Sequence, residues 1–218
     1  MTVNDIVATI GQSVDPEHDV VMVDGVLLPP PREESRTVML NKPLGFVTTC
    51  RDPHAERIVT QLVDDSEHLY PVGRLDADTE GLLLLTDDGD LANLLTHPRY
   101  EVPKVYRVLV DGDLDAAVIR EVEKGIELDG MRTAPCKIRE IRRRLSAGKT
   151  ELQLTLIEGR KRQIRRMFEA VGHRVRRIYR LAIGPLELGD LPTGKWRNLT
   201  KDEIAALRAA AERMESGA

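Results

Sequence analysis

A polar turn, Gly73-Arg-Leu-Asp-Ala-Asp78, runs toward a purely aliphatic stretch, Leu82 to Leu85, which a second turn at Asp87-Asp88-Gly89 closes. Four consecutive leucines between turn signals fit a strand buried on both faces or a piece of buried helix, because so short an apolar run carries no periodicity to separate the two. Either way the turn is anchored on a buried element. Backbone held like this can keep a side chain within the tolerance that chemistry demands, which makes Arg74, Asp76 and Asp78 candidates.

Around this stretch the pattern alternates or takes the helical period. Val3 to Ile10 and Val20 to Val23 predict short strands, with Asp24-Gly25 turning the second into Val26-Leu27-Leu28. Pro29-Pro30-Pro31-Arg-Glu-Glu-Ser-Arg36 reads as an extended polar linker. The expected organisation is therefore a small segment at 1–28, a linker at 29–36 and a main domain at 37–218.

Within that domain Thr37 to Asn41 and Phe46 to Thr49 predict strands, Ile58 to Val63 a short helix, and Asp90 the cap of a helix over Leu91 to Leu95. Lys104 to Val110 alternates as a strand and Asp113 to Glu123 is helical in pattern. Ile138 to Arg144 and Glu151 to Ile157 predict a hairpin turning at Ser146 to Lys149. Arg162 to Ala170 is a basic amphipathic helix with Ile164, Met167 and Phe168 on its apolar side. Val175 to Ile183 returns as a strand, and Lys201 to Met214 is a terminal helix capped by Thr200. No internal repeat is present. Recurrent hairpins with interspersed helices predict an α+β fold: a largely antiparallel mixed sheet with flanking helices.

Composition changes this picture little, and charge changes it more. With 41% apolar and 31% charged residues the chain is an ordinary globular sequence, and 3% aromatics disfavour a cage built from many rings. No stretch of about twenty apolar residues occurs, and the first residues lack the basic start and apolar core of a signal peptide, so no membrane partner and a cytoplasmic location are expected. Cys50 and Cys136 lack ligand spacing and are expected as free thiols. The net charge of -4 conceals a segregation: residues 131–180 hold 16 of the 32 Lys and Arg but four acids, a balance of +12 against -16 elsewhere. One intensely basic region on a mildly acidic chain predicts a polyanion met on one face.

Paired carboxylates at Asp76 and Asp78 could hold Mg²⁺, but no histidine or further acid is placed to complete a shell, and Asp87-Asp88-Gly89-Asp90 misses calcium-loop spacing. No metal is expected, and the later acids read as a turn and a helix cap. Asp76 differs, because Arg74 sits beside it and an arginine-rich helix lies elsewhere. A carboxylate near guanidinium stays ionised and oriented, as a nucleophile or base must be. Tyr106 reads from the residues first as a core strand tyrosine, with a stacking ring as the alternative.

Gly73 to Gly89, Leu40-Asn-Lys-Pro-Leu-Gly45, Lys104-Val-Tyr-Arg-Val108 and Glu158-Gly-Arg-Lys-Arg-Gln-Ile-Arg-Arg-Met167 together resemble the RsuA/RluB/RluE/RluF family of ribosomal RNA pseudouridine synthases. The resemblance spans residues 37 to about 200 and implies the pseudouridine synthase catalytic fold. It implies isomerisation of a uridine by breaking its C1′–N1 bond, turning the base and rejoining it through C5, with no cofactor. It further implies that Asp76 is the nucleophile, that Tyr106 stacks on the flipped base, and that Arg165 pairs with Asp76. The implied partner is a ribosomal RNA stem-loop, with large-subunit RNA favoured over small-subunit RNA, and a monomer is expected. Candidate RNA contacts are Lys42, Arg74, Lys104, Arg142, Arg143, Arg144, Arg160, Lys161, Arg162, Arg166, Arg176 and Arg177.

Thr2 to Asp5, Val14 to Asp19 and Val23-Asp-Gly25 also resemble the second half of an S4 RNA-binding domain, without the two helices that precede it in that pattern. Two other classes compete with the isomerase: an RNA-binding or ribosome-assembly protein that kept the fold without its chemistry, and a metal-dependent nuclease using the aspartate clusters.

Overall fold

The computed structural model describes residues 1–15, 18–28, 35–52, 55–144 and 148–216, and divides the chain into two compact units, Met1–Ser35 and Arg36–Ala218. Residues 29–34 of the expected linker, residues 145–147 of the expected hairpin turn, and the side chains of Arg143 and Arg144 lie outside the described residues.

In the first unit Thr2–Val3, Ile6–Val7, Val21–Val23 and Val26–Leu27 pair antiparallel in one small sheet. The single strand expected over Val3 to Ile10 is instead a hairpin, turned at Asn4 and Asp5 with φ of 50° and 65°. Asn and Asp accept left-handed backbone more readily than other L residues. The Asn4 side chain then donates to Asp19 and accepts from the Val20 N–H.

The second unit contains strands β1 (Thr37–Lys42), β2 (Tyr70–Val72), β3 (Glu80–Thr86), β4 (Lys104–Asp111), β5 (Lys137–Arg144), β6 (Lys149–Leu156), β7 (Val175–Ile183), β8 (Leu186–Glu187) and β9 (Trp196–Asn198). Its helices are α1 (Gly89–Thr96), α2 (Ala116–Glu123), α3 (Gln163–Ala170) and α4 (Lys201–Ser216). Among the described residues these nine strands form one sheet in the order β5-β6-β4-β7-β3-β1-β9, with β8 added to β7 and β2 to β3. Every pairing between them is antiparallel except that of β7 with β3. The α+β architecture matches the expectation.

The leucine run is β3, buried on both faces as its lack of alternation predicts. Leu83 and Leu85 enter a core that includes Met167 and Phe168 of α3 and Val122 of α2, whereas Leu82 and Leu84 enter a second core with Leu91 and Leu95 of α1 and Leu207 of α4. All four are fully buried, at on the order of 2 kcal/mol each from removal of apolar surface from water. The strand is thus the shared wall of two cores, and what is attached to it moves little.

Three local expectations change. Asp88, not Asp90, caps α1 by accepting from the Leu91 N–H, which places Asp90 in the first helical turn. Phe46 to Thr49 forms no strand but a single bridge, Val47 to Ile58, and the Thr48 hydroxyl donates to the Leu75 carbonyl. Ile58 to Val63 contains one 3₁₀ turn, Val59–Leu62. Thr200 does cap α4, its hydroxyl accepting from the Glu203 N–H while the Glu203 carboxylate accepts from the Thr200 N–H.

Candidate active site

The loop joining β2 to β3 carries Asp76 and is fastened from several directions through its backbone. The Thr79 N–H donates to the Asp76 carbonyl, closing a tight turn. Thr48 Oγ1 donates to the Leu75 carbonyl at 2.7 Å, and the Gly45 N–H donates to the Ala77 carbonyl at 2.8 Å. Lys42 does more than any of these. Its ammonium donates to the carbonyls of Pro43, Asp76 and Thr79 at 3.1, 3.1 and 2.8 Å, so all three protons are used.

That corrects the expectation that Lys42 contacts RNA. The residue is 0% exposed at the end of β1, and burial pushes its ammonium down to about 8 although Glu80, Asp78 and Asp76 oppose the shift. It is the peg on which the Asp76 turn hangs. Lys42→Met is expected to lower unfolding free energy by on the order of 2 kcal/mol: three carbonyls lose their donor, partly offset by removal of a desolvated charge. Urea unfolding of the variant beside wild type measures this, and the same variant should lose turnover because the Asp76 turn is no longer held.

Asp76 sits at the mouth of a cleft of about 610 Å³, within the size range of small-ligand sites. Arg74, Lys104, Tyr106, Arg160, Lys161, Arg162 and Arg180 line it as well, with apolar walls from Leu95, Leu156, Ile164, Ile178 and Ile183. Of the residues singled out from sequence, the fold therefore brings Asp76, Arg74, Tyr106, Lys104, Arg160, Lys161 and Arg162 to one cavity. Arg142, Arg165, Arg166, Arg176 and Arg177 are not among its lining residues. Tyr106, 8% exposed, is both a core residue of β4 and a wall of the cleft, so the two readings of it meet in one position.

The expected pairing of Arg165 with Asp76 is not formed. Arg165 lies 3.1 Å from the Asp78 carboxylate and donates to the Asp78 carbonyl at 2.8 Å and to the Val175 carbonyl at 3.2 Å. Arg162 approaches Asp76 more closely, at 4.0 Å, and itself contacts Asp78 at 3.3 Å. Two arginines of the α3 region thus converge on Asp78, and Asp76 keeps a carboxylate 37% exposed to the cleft. Arg162 takes this position with a left-handed backbone, φ 52°, directly before α3. A bulky residue held there is strained, and such strain persists where surrounding structure enforces it.

Four of the remaining basic candidates are partnered. Arg160 donates to Glu158 and to the Met131 and Arg132 carbonyls; Arg166 pairs with Asp129, Arg176 with Asp111 and Arg177 with Glu80. Asp129 and Asp111 are held below the usual carboxylate range, first by the hydrogen bonds from Arg166 and Arg176. The exposed pairs of Arg166 and Arg176 contribute about 0–1 kcal/mol and open readily for a competing anion, whereas Arg177 is bound to a buried Glu80 carboxylate through two hydrogen bonds.

Lys104 points its ammonium at the Val102 carbonyl, 2.9 Å away, and is pushed down to about 8 by burial and then by Arg180. Its folded value lies below the ordinary 10.5, so below pH 8 the burial cost is present in full. Between pH 8 and 10.5 the folded state loses the proton first and the cost is relieved. Unfolding free energy of wild type is therefore expected to rise across that window relative to Lys104→Met, as read by urea titrations at each pH.

Among the described residues no three His, Cys, Asp or Glu side chains converge as a metal site, and no helix is long and apolar enough to cross a membrane. Cys50 and Cys136 are free thiols.

A carboxylate at the rim, an aromatic wall and a cationic lining describe a cleft for a nucleotide, and comparison with known proteins agrees. The family described as RNA pseudouridylate synthase matches residues 36–170. The chain is 44% identical over 205 residues to an uncharacterised RNA pseudouridine synthase of Aquifex aeolicus, covering 93% of this chain and 81% of that one. It is 42% identical over 182 residues to ribosomal large subunit pseudouridine synthase B of Bacillus subtilis, covering 83% and 75%. A crystal structure of a pseudouridylate synthase superposes with a TM-score of 0.73 at 32% identity, covering 94% of this chain and 87% of the other. The chain belongs to the RNA pseudouridylate synthase family and is an isomerase.

The residue that sequence reasoning missed is Arg180. Its signal was present only as one arginine among the sixteen basic residues of 131–180.

Proposed function

We propose that the protein converts a specific uridine of ribosomal RNA, in the large subunit, to pseudouridine, with Asp76 as the nucleophile. The observation that carries this reading is the Asp76 carboxylate, held by a fastened turn at the mouth of a cleft whose wall is Tyr106. The name of the Bacillus subtilis relative supports ribosomal RNA and the large subunit.

The target uridine leaves its stack and enters the cleft, where the Tyr106 ring replaces lost stacking, worth about 1–3 kcal/mol per base. Asp76 attacks, the C1′–N1 bond breaks, the base turns, and C1′ rejoins through C5 as the bond to Asp76 breaks and its carboxylate is freed. Arg165 acts on Asp76 at one remove, fastening the turn through Asp78, and Arg162 is the guanidinium nearest the nucleophile. Arg74, Lys104, Arg160, Lys161 and Arg162 meet the RNA beside the target. Arg142, Arg143, Arg144, Arg166 and Arg176 supply sequence-independent contacts to phosphates farther along, Arg166 and Arg176 exchanging carboxylate partners for RNA, and Arg177 adds its exposed guanidinium while keeping Glu80. The active species in this reading is a monomer working in the cytoplasm.

The test is incubation of purified protein, with chelator and no added cofactor, on unmodified small- and large-subunit RNA transcripts, followed by pseudouridine mapping at nucleotide resolution. One new site in large-subunit RNA is expected. A site in small-subunit RNA would move the substrate, and tight binding with no product in either would make the protein an RNA-binding factor.

A further inference from the structure

Arg180 lies in β7 and is 3% exposed. Its Nε donates to the Leu82 carbonyl at 2.6 Å, yet its Nη2 is buried and has no hydrogen-bond partner among the described residues. A buried guanidinium nitrogen with nothing to bond is costly, and natural folds retain such a group where a bound partner satisfies it. The cavity beside it is the cleft of Asp76, which Arg180 lines.

Its place in the sheet is equally specific. Arg180 stands in register with Tyr106 on β4 and with Gly81 on β3. Directly opposed side chains on neighbouring strands lie about 4.5–5.5 Å apart at Cβ, so the guanidinium neighbours the ring that forms the cleft wall. Gly81 lets β3 and β7 come together at this point, since a Cβ there would meet the Arg180 carbonyl oxygen at 2.3 Å. Lys104, the other cation of this corner, is close enough for Arg180 to depress its ammonium further.

We propose that Arg180, with Lys104 beside it, is a further catalytic residue that holds the uracil ring through its carbonyl oxygens while the ring is detached from the ribose. The proposal rests on the pseudouridine synthase reading above. When C1′–N1 breaks, its electron pair goes to N1 and spreads to O2 and O4 of the ring. After the ring turns, C1′–C5 forms, the C5 proton leaves to solvent and N1 takes a proton from solvent. The oxygens are thus neutral in the bound substrate and carry charge only between cleavage and rejoining. A buried cation aimed at them binds the transition state more tightly than the ground state. A phosphate is the poorer occupant: the RNA backbone runs on in both directions and would have to shed its water at this depth, whereas the base is the part that leaves the stack.

The experiment compares wild type, Arg180→Gln and Arg180→Lys on the RNA that wild type modifies, with kcat, RNA affinity and the salt dependence of affinity measured for each. Wild type reports on the underlying reading, since no product from it defeats that reading before Arg180 enters. The expected result for R180Q is a fall in kcat of about 10²- to 10³-fold, the scale of removing one donor to a developing oxyanion, with RNA affinity and its salt slope unchanged. R180K should lose less. Wild-type kcat in folded R180Q overturns the proposal, as does a loss confined to affinity with a salt slope lower by about one, the mark of a phosphate contact. Should R180Q fail to fold, R180K decides: it retains the bond to Leu82 but not the second donor, so reduced kcat at unchanged affinity supports the proposal and wild-type kcat overturns it.

Discussion

Asp76→Asn is expected to abolish pseudouridine formation, by on the order of 10⁴-fold or more, the scale on which loss of a nucleophile acts. Stability should barely change. Lys42 and Thr48 fasten this turn through backbone atoms of residues 75–79, Arg162 and Arg165 hold it through Asp78, and the Asp76 carboxylate itself has one arginine at 4.0 Å with 37% of the side chain exposed. Such a pair is worth about 0–1 kcal/mol, and asparagine keeps the size of the group it replaces. Binding of RNA should persist for the same reason. The measurement is the mapping assay beside a urea melt and an RNA titration: a folded, RNA-binding Asp76→Asn that still makes product would remove Asp76 from the mechanism.

Gly81→Ala should be the most damaging small substitution in the chain's central strand. Gly81 has φ +104°, and a Cβ would stand 2.3 Å from the Arg180 oxygen and 2.6 Å from its nitrogen. Those are backbone atoms of β7, so no side-chain rotation relieves the clash. Either β7 separates from β3 at their one parallel junction, or the strand carrying the four leucines shifts within both cores. Overpacking and left-handed strain each cost about 1–3 kcal/mol, and here they coincide, so a loss of roughly 4 kcal/mol is expected. Gly89→Ala is the control, since Gly89 opens α1 with ordinary φ and free space around it. Its urea midpoint should match or exceed wild type, while that of Gly81→Ala falls. Equal midpoints for the two would mean that the β3–β7 junction tolerates a side chain.

Much of this architecture is legible in one dimension because it depends on near neighbours. A leucine run between turns became a strand buried on both faces, the alternation of Lys104 to Val110 became β4, and the apolar side of α3 holds Ile164, Met167 and Phe168 as its period predicts. Failures occurred where one polar atom chose between adjacent options. Asn4-Asp5 turned a strand into a hairpin, and Asp88 took the cap instead of Asp90.

Charged residues were the least legible. Lys42 read as an RNA contact, Arg165 as the partner of Asp76 and Arg180 as one arginine of a basic region, yet Lys42 is a buried peg, Arg165 holds Asp78, and Arg180 lines the cleft with an unsatisfied nitrogen. The sequence by itself determined the α+β class, the family, and the turn that presents Asp76, because those follow from local patterning and a long contiguous motif. Only the tertiary structure decided what each cation does. A long charged side chain takes its role from the groups it meets, and these lie 34 residues away for Lys42 and Asp76, and 87 for Arg165 and Asp78. Burial then sets the strength of each contact by removing water, and no pattern along the chain records which charges the folded sheet will cover.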